Sequence, residues 1–380
     1  MTKAPNVDRL AGALNAWHGE AGGPSRLEEW LTIMVERGAS DLLLVAGVPP
    51  SIRVDGTISS LPEGPLDGPE IEDAVLPVLP ERAAQRYREG APADASLRVP
   101  GQGRFRINLH RERGRAAALI RALPSRPPVL SDLGLPPRVE QLTRLPYGLV
   151  LIGGPTGSGK STTQAALVDV INRRDPKHIV LIEDPIEYEH PHLKSVVEQV
   201  EIGIDVADFP TALRSTLRQA PDVLVIGEMR DPETMQIALA AGETGHLVLS
   251  TIHTTDVAST VARICDSFPD ERQATVRQEL SMALAAVFTQ TLLPRIGGGR
   301  MPAAELLMVG YGARQHIRKN QVQHLHQEIT LTRRHGSFTF EESLARLVHQ
   351  GLLELREAMA RTSHTEELEG LLRQRPKATA

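Results

Sequence analysis

Gly154-Pro155-Thr156-Gly157-Ser158-Gly159-Lys160-Ser161 follows directly on the apolar run Leu149-Val150-Leu151-Ile152. This octapeptide fits G-x-x-x-x-G-K-[ST], the phosphate loop that joins a strand to a helix. The run before it predicts a strand, and Lys160–Arg173 predicts the helix after it. The glycines let the backbone turn tightly and aim its N–H groups at phosphate oxygens. Lys160 sets a point charge against the β- and γ-phosphates, and Ser161, with Thr162 beside it, begins the helix. The Ser161 hydroxyl is of the type that ligates Mg²⁺ in such loops. The helix starts at the loop, so its positive dipole end also faces the phosphates. The expected ligand is a nucleoside triphosphate with Mg²⁺.

Outward from the loop, apolar strands alternate with amphipathic helices. His178–Ile182, Val223–Ile226 and His246–Ser250 are continuous apolar runs, as expected for strands buried on both faces. Pro232–Ala241 predicts a helix with Asp231 as its N-cap and proline at its first position. From about Leu142 this is a P-loop α/β domain, and from about Asp270 the pattern reads as mostly helical.

Three carboxylate and histidine groups lie at strand ends. Glu183-Asp184-Pro185-Ile186-Glu187 follows the strand ending at Ile182, at the edge where open α/β sheets bind ligands. A carboxylate there is suited to orient or deprotonate the water that attacks the γ-phosphate. Asp222-Val223-Leu224-Val225-Ile226-Gly227-Glu228 has the form of a Walker B strand with glycine in place of the usual aspartate, which leaves Glu228 as the first carboxylate. Glu228 is then the residue to reach Mg²⁺ through a water, or to polarise the nucleophile. His246 and His253 bracket the next strand, with His253 at its C-terminal end beside Thr251, Thr254 and Thr255, where it is placed to sense the γ-phosphate. Arg214 and Arg218 fall one helical turn apart, and Arg106 and Arg121 lie earlier in the chain. A guanidinium suits phosphate because its planar fork meets two oxygens at once, but the spacing alone equally fits solvated surface arginines. His316, His324, His326 and His335 are irregularly spaced with no Cys or carboxylate cluster near them in sequence, and read as a solvated helical surface rather than a metal site.

The N-terminal part is organised differently. Residues 1–24 read as a loose tail ending in Gly22-Gly23-Pro24. Ser25-x-x-Glu28 predicts a capping box ahead of Leu27, Trp30, Leu31, Met34 and Val35 at helical spacing. Asp41–Val45 and Ser51–Val54 predict strands, with a hairpin turn at Asp55-Gly56. Arg104–Leu109 and Ala116–Ala122 predict a second pair joined near Gly114. A small α+β domain over residues 25–124 results. Pro124, Pro127, Pro128, Pro136 and Pro137 then predict a stiff, poorly packing linker over 125–141, ahead of the P-loop domain at 142–380.

Composition narrows the function. The chain has 380 residues, enough for two domains with their own cores. Asp and Glu total 47 against 42 Lys and Arg, for a formal charge of -5, and aromatics make up 3%. That balance argues against a nucleic-acid binder, which needs basic surface and stacking platforms. The one cysteine, Cys265, forms no internal disulfide and no Cys-x-x-Cys pair, which fits a reducing cytoplasm. No apolar run approaches the roughly 20 residues of a membrane span, and the N-terminus lacks the pattern of a signal peptide. A role at a membrane is therefore expected to run through partners on the cytoplasmic side.

The ordered motifs resemble one family. Gly38-Ala39-Ser40-Asp41-Leu42, Pro50–Gly56, Arg104–Asn108, the phosphate loop, Glu183–Glu187, Leu213–Arg218, Gly227–Asp231, Glu243–His246 and Thr251–Thr255 together resemble the secretion-type hexameric ATPases, and within them the type IV pilus retraction branch. The resemblance spans about residues 26–350. It implies a RecA-like P-loop ATPase domain preceded by a smaller PAS-like α+β domain, assembled as a homohexamer that acts on an inner-membrane pilus platform protein. It further implies Glu183 as general base, Glu228 as the Walker B carboxylate, His246 and His253 as a histidine box, and Arg106, Arg121, Arg214 and Arg218 as nucleotide contacts. Assembly ATPases of the superfamily carry a four-cysteine zinc element that a chain with one cysteine cannot form, which favours retraction. The retraction enzymes' C-terminal Ala-Ile-Arg-Asn-Leu-Ile motif appears only as Ala313-Arg314-Gln315-His316-Ile317, and Gln219–Asp222 differs from the acidic version of that segment. Two function classes follow: a motor driven by ATP hydrolysis, or a regulatory or accessory nucleotide-binding paralogue with little turnover of its own. An assembly or type II secretion ATPase is the remaining alternative.

Overall fold

The computed structural model describes residues 25–124 and 126–374, so the expected tail at 1–24 lies outside the described residues. The chain divides into two compact units at residue 125. No helix among the described residues is long and apolar enough to cross a membrane.

The first unit is one antiparallel sheet with helices. Helix α1 (Arg26–Glu36) is capped by Ser25, whose hydroxyl accepts from the Glu28 N–H. Only this half of the expected capping box forms; Glu28 Oε2 is buried without a partner. Strands β1 (Asp41–Val45), β2 (Ser51–Val54) and β3 (Thr57–Ser60) are followed by α2 (Gly68–Val75) and α3 (Glu81–Arg88). Then come β4 (Ala93–Val99), β5 (Gly103–Glu112) and β6 (Arg115–Leu123). The sheet order is β3-β2-β1-β6-β5-β4. Its apolar face packs on the helices: Leu27, Trp30, Leu31 and Met34 meet Leu42, Leu44, Ile107 and Ile120. Alternation then sends Arg106 away from that core, between buried Phe105 and Ile107. This is the PAS-like α+β part of the fold.

The second unit is the RecA-like part. Its sheet contains β7 (Gly148–Gly153), β8 (His178–Glu183), β9 (Val196–Glu201), β10 (Val223–Ile226), β11 (Leu247–Ile252), β12 (Leu284–Pro294) and β13 (Arg300–Met308). The order is β13-β12-β7-β11-β10-β8-β9, parallel throughout except for the β12–β13 hairpin. Strand β7, which feeds the phosphate loop, is buried along its whole length. Its side chains alternate between two cores. Leu149 and Leu151 join the side covered by α5 (Phe209–Thr216), α6 (Pro232–Glu243), α7 (Val257–Asp266) and α8 (Asp270–Ala283). Val150 and Ile152 join the side covered by α4 (Lys160–Arg174). Helices on both faces make the continuous apolar runs necessary. Helices α9 (Tyr311–Arg318), α10 (Leu325–Leu331), α11 (Phe340–His349), α12 (Leu355–Arg361) and α13 (Thr365–Arg373) complete the chain. Leu344, Leu347, Ala358 and Leu368 cover the outer end of the β12–β13 hairpin at Leu293 and Met301.

The structure corrects three expectations. The segment after Asp270 is not helical throughout: α8 ends at Ala283 and the long β12–β13 hairpin follows before helices resume at Tyr311. The Ala-rich start of β12 hid the strand, and the turn signal lay in Gly297-Gly298-Gly299. The proline-rich segment is not a bare spacer. Leu130, Leu135, Val139 and Leu142 are buried against Ala166, Leu167 and Ile171, and Arg174 donates to the Thr143 carbonyl at 2.6 Å. Proline stiffens a backbone but does not stop an apolar face from packing, and short 3₁₀ turns at Leu130–Leu133 and Pro137–Arg144 present that face. Finally, α5 stops at Thr216, so Arg218 is not on the helix face of Arg214; its guanidinium folds back onto the Arg214 carbonyl at 2.8 Å.

Candidate nucleotide site

The phosphate loop is locked from below. Gly154 has φ +155°, and a Cβ there would lie 2.5 Å from the Gln290 carbonyl oxygen and closer still to Ser158 Oγ, so only glycine fits. Gln290, on β12 and 4% exposed, braces the loop with its side chain. Its Nε2 donates to the Ser158 carbonyl at 2.6 Å, and its Oε1 accepts from Thr163 Oγ1 at 2.7 Å. Sequence reasoning missed Gln290; the available signal was a polar Thr289-Gln290-Thr291 between apolar residues. Gln164 on α4 adds a second tie, donating to the carbonyls of Ile226 and Leu249 at 3.1 and 3.3 Å, and so fixes α4 to the end of β10 and the middle of β11.

Lys160 is 8% exposed and donates to the carbonyls of Gly154 and Pro155 at 2.9 and 3.1 Å. Burial lowers its pKa, while the charges of Glu228 and Glu187 act the other way. Its ammonium also lies 3.5 Å from His253 Nδ1, and His253 Nε2 lies 3.1 Å from Glu228 Oε1. With Nδ1 accepting from an ammonium, Nε2 carries the proton that Glu228 accepts. Arg230 holds the other Glu228 oxygen at 3.0 Å. Burial disfavours the Glu228 charge, but Arg230 and His253 outweigh it and hold the carboxyl below its ordinary pKa. A hydrogen-bonded chain therefore runs from the loop through Lys160 and His253 to Glu228. Ser161 is half-buried in the first turn of α4, and Thr162 Oγ1 lies 3.1 Å from the Tyr188 hydroxyl.

Glu183 ends β8, where Gln199 Nε2 donates to its Oε1 at 3.0 Å. Gly227 explains the altered Walker B strand. A Cβ at 227 would stand 3.3 Å from the Ile182 oxygen and 3.4 Å from Glu183 Cα, so the glycine lets Glu183 pack closely beside β10. Carboxylates at 183 and 228 thus share one sheet edge with the phosphate loop, through the parallel register of β8, β10, β11 and β7.

The remaining expected residues are not brought to this edge within the second unit. His246 precedes β11 and contacts the Ala241 carbonyl at 3.2 Å, about 20 Å of strand away from His253. His246 therefore does not reach the phosphate loop of its own chain. Arg214 is ion-paired to Glu233, and Arg218 turns to the Arg214 carbonyl; both are exposed. In the first unit, Arg106 and Arg121 are direct cross-strand partners and both exposed. Arg121 Nε donates to Asp41 at 2.8 Å, and Arg106 lies 3.6 Å from Asp94. The two guanidinium groups face each other across one sheet, each beside its own carboxylate. The histidines expected on a solvated surface also need correction. His326 is stacked on His364 with ring centroids 3.8 Å apart, beside Glu341 and Glu367.

Comparison with known proteins agrees with this geometry. The family described as Type II/IV secretion system protein matches residues 97–327. The chain is 41% identical over 327 residues to the type IV pilus retraction ATPase PilT of Pseudomonas aeruginosa, covering 86% of this chain and 95% of that one. It is 37% identical to the type IV pilus ATPase PilU of the same organism, covering 90% of each. A crystal structure of the pilus retraction motor PilT with bound ADP superposes with a TM-score of 0.83 at 44% identity, covering 91% of this chain and 99% of that one. The chain belongs to the Type II/IV secretion system protein family, as one of its P-loop ATPases.

Proposed function

We propose that this chain is the ATP-hydrolysing motor of type IV pilus retraction and twitching motility. It works as a homohexamer at the cytoplasmic face of the inner membrane, on a pilus platform protein. The observation that carries the reading is the Lys160–His253–Glu228 chain at a complete phosphate loop, in a protein similar to a retraction ATPase over most of both chains. The γ-phosphate of ATP takes over Lys160 from the Gly154 and Pro155 carbonyls, and His253 passes that change to Glu228. Glu183, oriented by Gln199, takes the proton of the attacking water as its oxygen bonds to the γ-phosphorus and the bond to ADP breaks. The Ser161 hydroxyl and the ionised Glu228 carboxylate fit a hard divalent cation. Mg²⁺ held there would neutralise phosphate charge as it develops.

Arg106, Arg121, Arg214 and Arg218 are proposed as phosphate contacts between domains or between subunits of the ring. Their exposure and planar forks support that role. Nucleotide moves the first unit by binding one arrangement of the two units more tightly than another.

Deletion of the gene in its host tests the direction of the motor. Excess pili that do not retract, with lost twitching restored by the wild-type gene and not by Glu183→Gln, are expected. Bald cells would make it an assembly ATPase, and normal twitching would remove the proposed role.

A further inference from the structure

Four metal-ligating side chains converge among α10, α11 and α13, and three of them, His326, Glu341 and His364, line a cavity of ≈ 430 Å³ that Pro155 and Gln290 also line. His326 Nε2 lies 2.9 Å from Glu367 Oε2, and His364 Nδ1 lies 3.3 Å from Glu341 Oε1. One ligand atom from each of the four lies within 4.8 Å of all the others. In a tetrahedral site with bonds of about 2.0–2.2 Å, neighbouring donor atoms stand roughly 3.3–3.6 Å apart. The two histidine–carboxylate pairs, at 2.9 and 3.3 Å, stand near that value, and the other donor atoms lie within 4.8 Å, a gap that side-chain movement closes.

The second observation is Glu341 itself. It is 2% exposed, and its Oε2 is buried with no hydrogen-bond partner. Its Oε1 already accepts from Thr362 at 2.8 Å. A buried carboxylate oxygen without a partner is costly, and a cation is one way to satisfy it. The outer contacts are also in place: Glu367 Oε1 accepts from Thr339 at 3.0 Å and from Arg333 at 3.3 Å, so Oε2 is the oxygen turned toward His326. Outer hydrogen bonds of this kind orient metal-binding carboxylates.

We propose that His326, His364, Glu341 and Glu367 bind one transition-metal ion of the zinc class. Two imidazoles with two carboxylates suit Zn²⁺, whereas Mg²⁺ and Ca²⁺ prefer all-oxygen sites. The ion neutralises the two carboxylates and ties α10, α11 and the start of α13 together. Access is through His364, whose side chain is 47% exposed.

The test uses the untagged full chain. Zn²⁺ is titrated against a chromophoric chelator, and Co²⁺ binding is read by its visible absorption. One ion per chain, a tetrahedral Co²⁺ spectrum and a melting temperature raised by Zn²⁺ are expected. His364→Ala and Glu341→Gln should each weaken binding at least about 100-fold. His364→Ala is half-exposed and decides the matter if Glu341→Gln does not fold. His324→Ala, at the separate His316–His324 pair, should bind as wild type does. No stoichiometric binding, or binding lost in His324→Ala and kept in His364→Ala, would overturn the site and leave two histidine–carboxylate ion pairs.

Discussion

Replacing Gln290 by leucine should loosen the phosphate loop without touching a residue that meets nucleotide. The side chain makes two buried hydrogen bonds, to the Ser158 carbonyl and from the Thr163 hydroxyl. Leucine fills a similar volume and makes neither. Each buried polar group left unpaired costs about 1–3 kcal/mol, so the two together set a ceiling of about 6 kcal/mol. The Thr163 hydroxyl sits in α4, where it can turn to a backbone carbonyl. That leaves about 2 kcal/mol, mostly from the Ser158 carbonyl. If the loop alone absorbs this, the population able to bind falls and the apparent affinity for ATP weakens by up to about 30-fold. Thr163→Val removes only the hydroxyl that donates to Gln290 and leaves the bond to Ser158, so it separates the two contacts. Affinity is measured with a fluorescent nucleotide, alongside the urea midpoint of unfolding. Unchanged affinity with an unchanged midpoint in Gln290→Leu would refute the brace.

Two further perturbations follow from the packing. Glu305 is buried, accepts from the Val257 N–H and the Thr289 hydroxyl, and burial pushes its pKa from 4.5 up to about 7. Its folded value lies above its unfolded one, so its contribution is complete below about pH 4.5 and is lost as pH rises through about 7. The loss is on the order of 3 kcal/mol. Glu305→Gln keeps both accepted bonds and should flatten the fall in unfolding free energy between pH 5 and pH 8; parallel pH curves would contradict this. Gly227→Ala places a Cβ against the backbone at Ile182 and Glu183, at a cost of about 1 kcal/mol. It should slow turnover more than it weakens ATP binding, as seen by comparing single-turnover rates with nucleotide affinity. The reverse pattern would mean that the glycine does not serve to position Glu183.

The loop and its sheet were legible because their signals are local. A phosphate loop between an apolar run and a helix, and parallel strands buried on both faces, leave continuous patterns in the sequence. Asp231 followed by Pro232 marked a helix start for the same reason: Asp231 caps the Thr234 N–H at 2.8 Å. Gln290 was not legible, because its importance lies in contacts to a loop 132 residues earlier. The β12–β13 hairpin was hidden by alanines that favour helix when read alone and become strand because β7 pairs with them. His326 and His364 each look like lone surface histidines until α10 and α13 are packed together. His246 shows the opposite failure: its motif drew it into the site, while the length of β11 keeps it at the other end.

The account rests on ATP cleavage at this loop, and steady-state hydrolysis by the purified full chain, beside Lys160→Ala, tests it most directly. Removing the ammonium leaves the phosphate charge uncompensated, and loss of such an interaction costs about 10²–10³ in rate. The account predicts Mg²⁺-dependent turnover in the wild type that falls by at least that factor in a folded Lys160→Ala protein. Equal turnover by the two proteins, or none by the wild type, would contradict it.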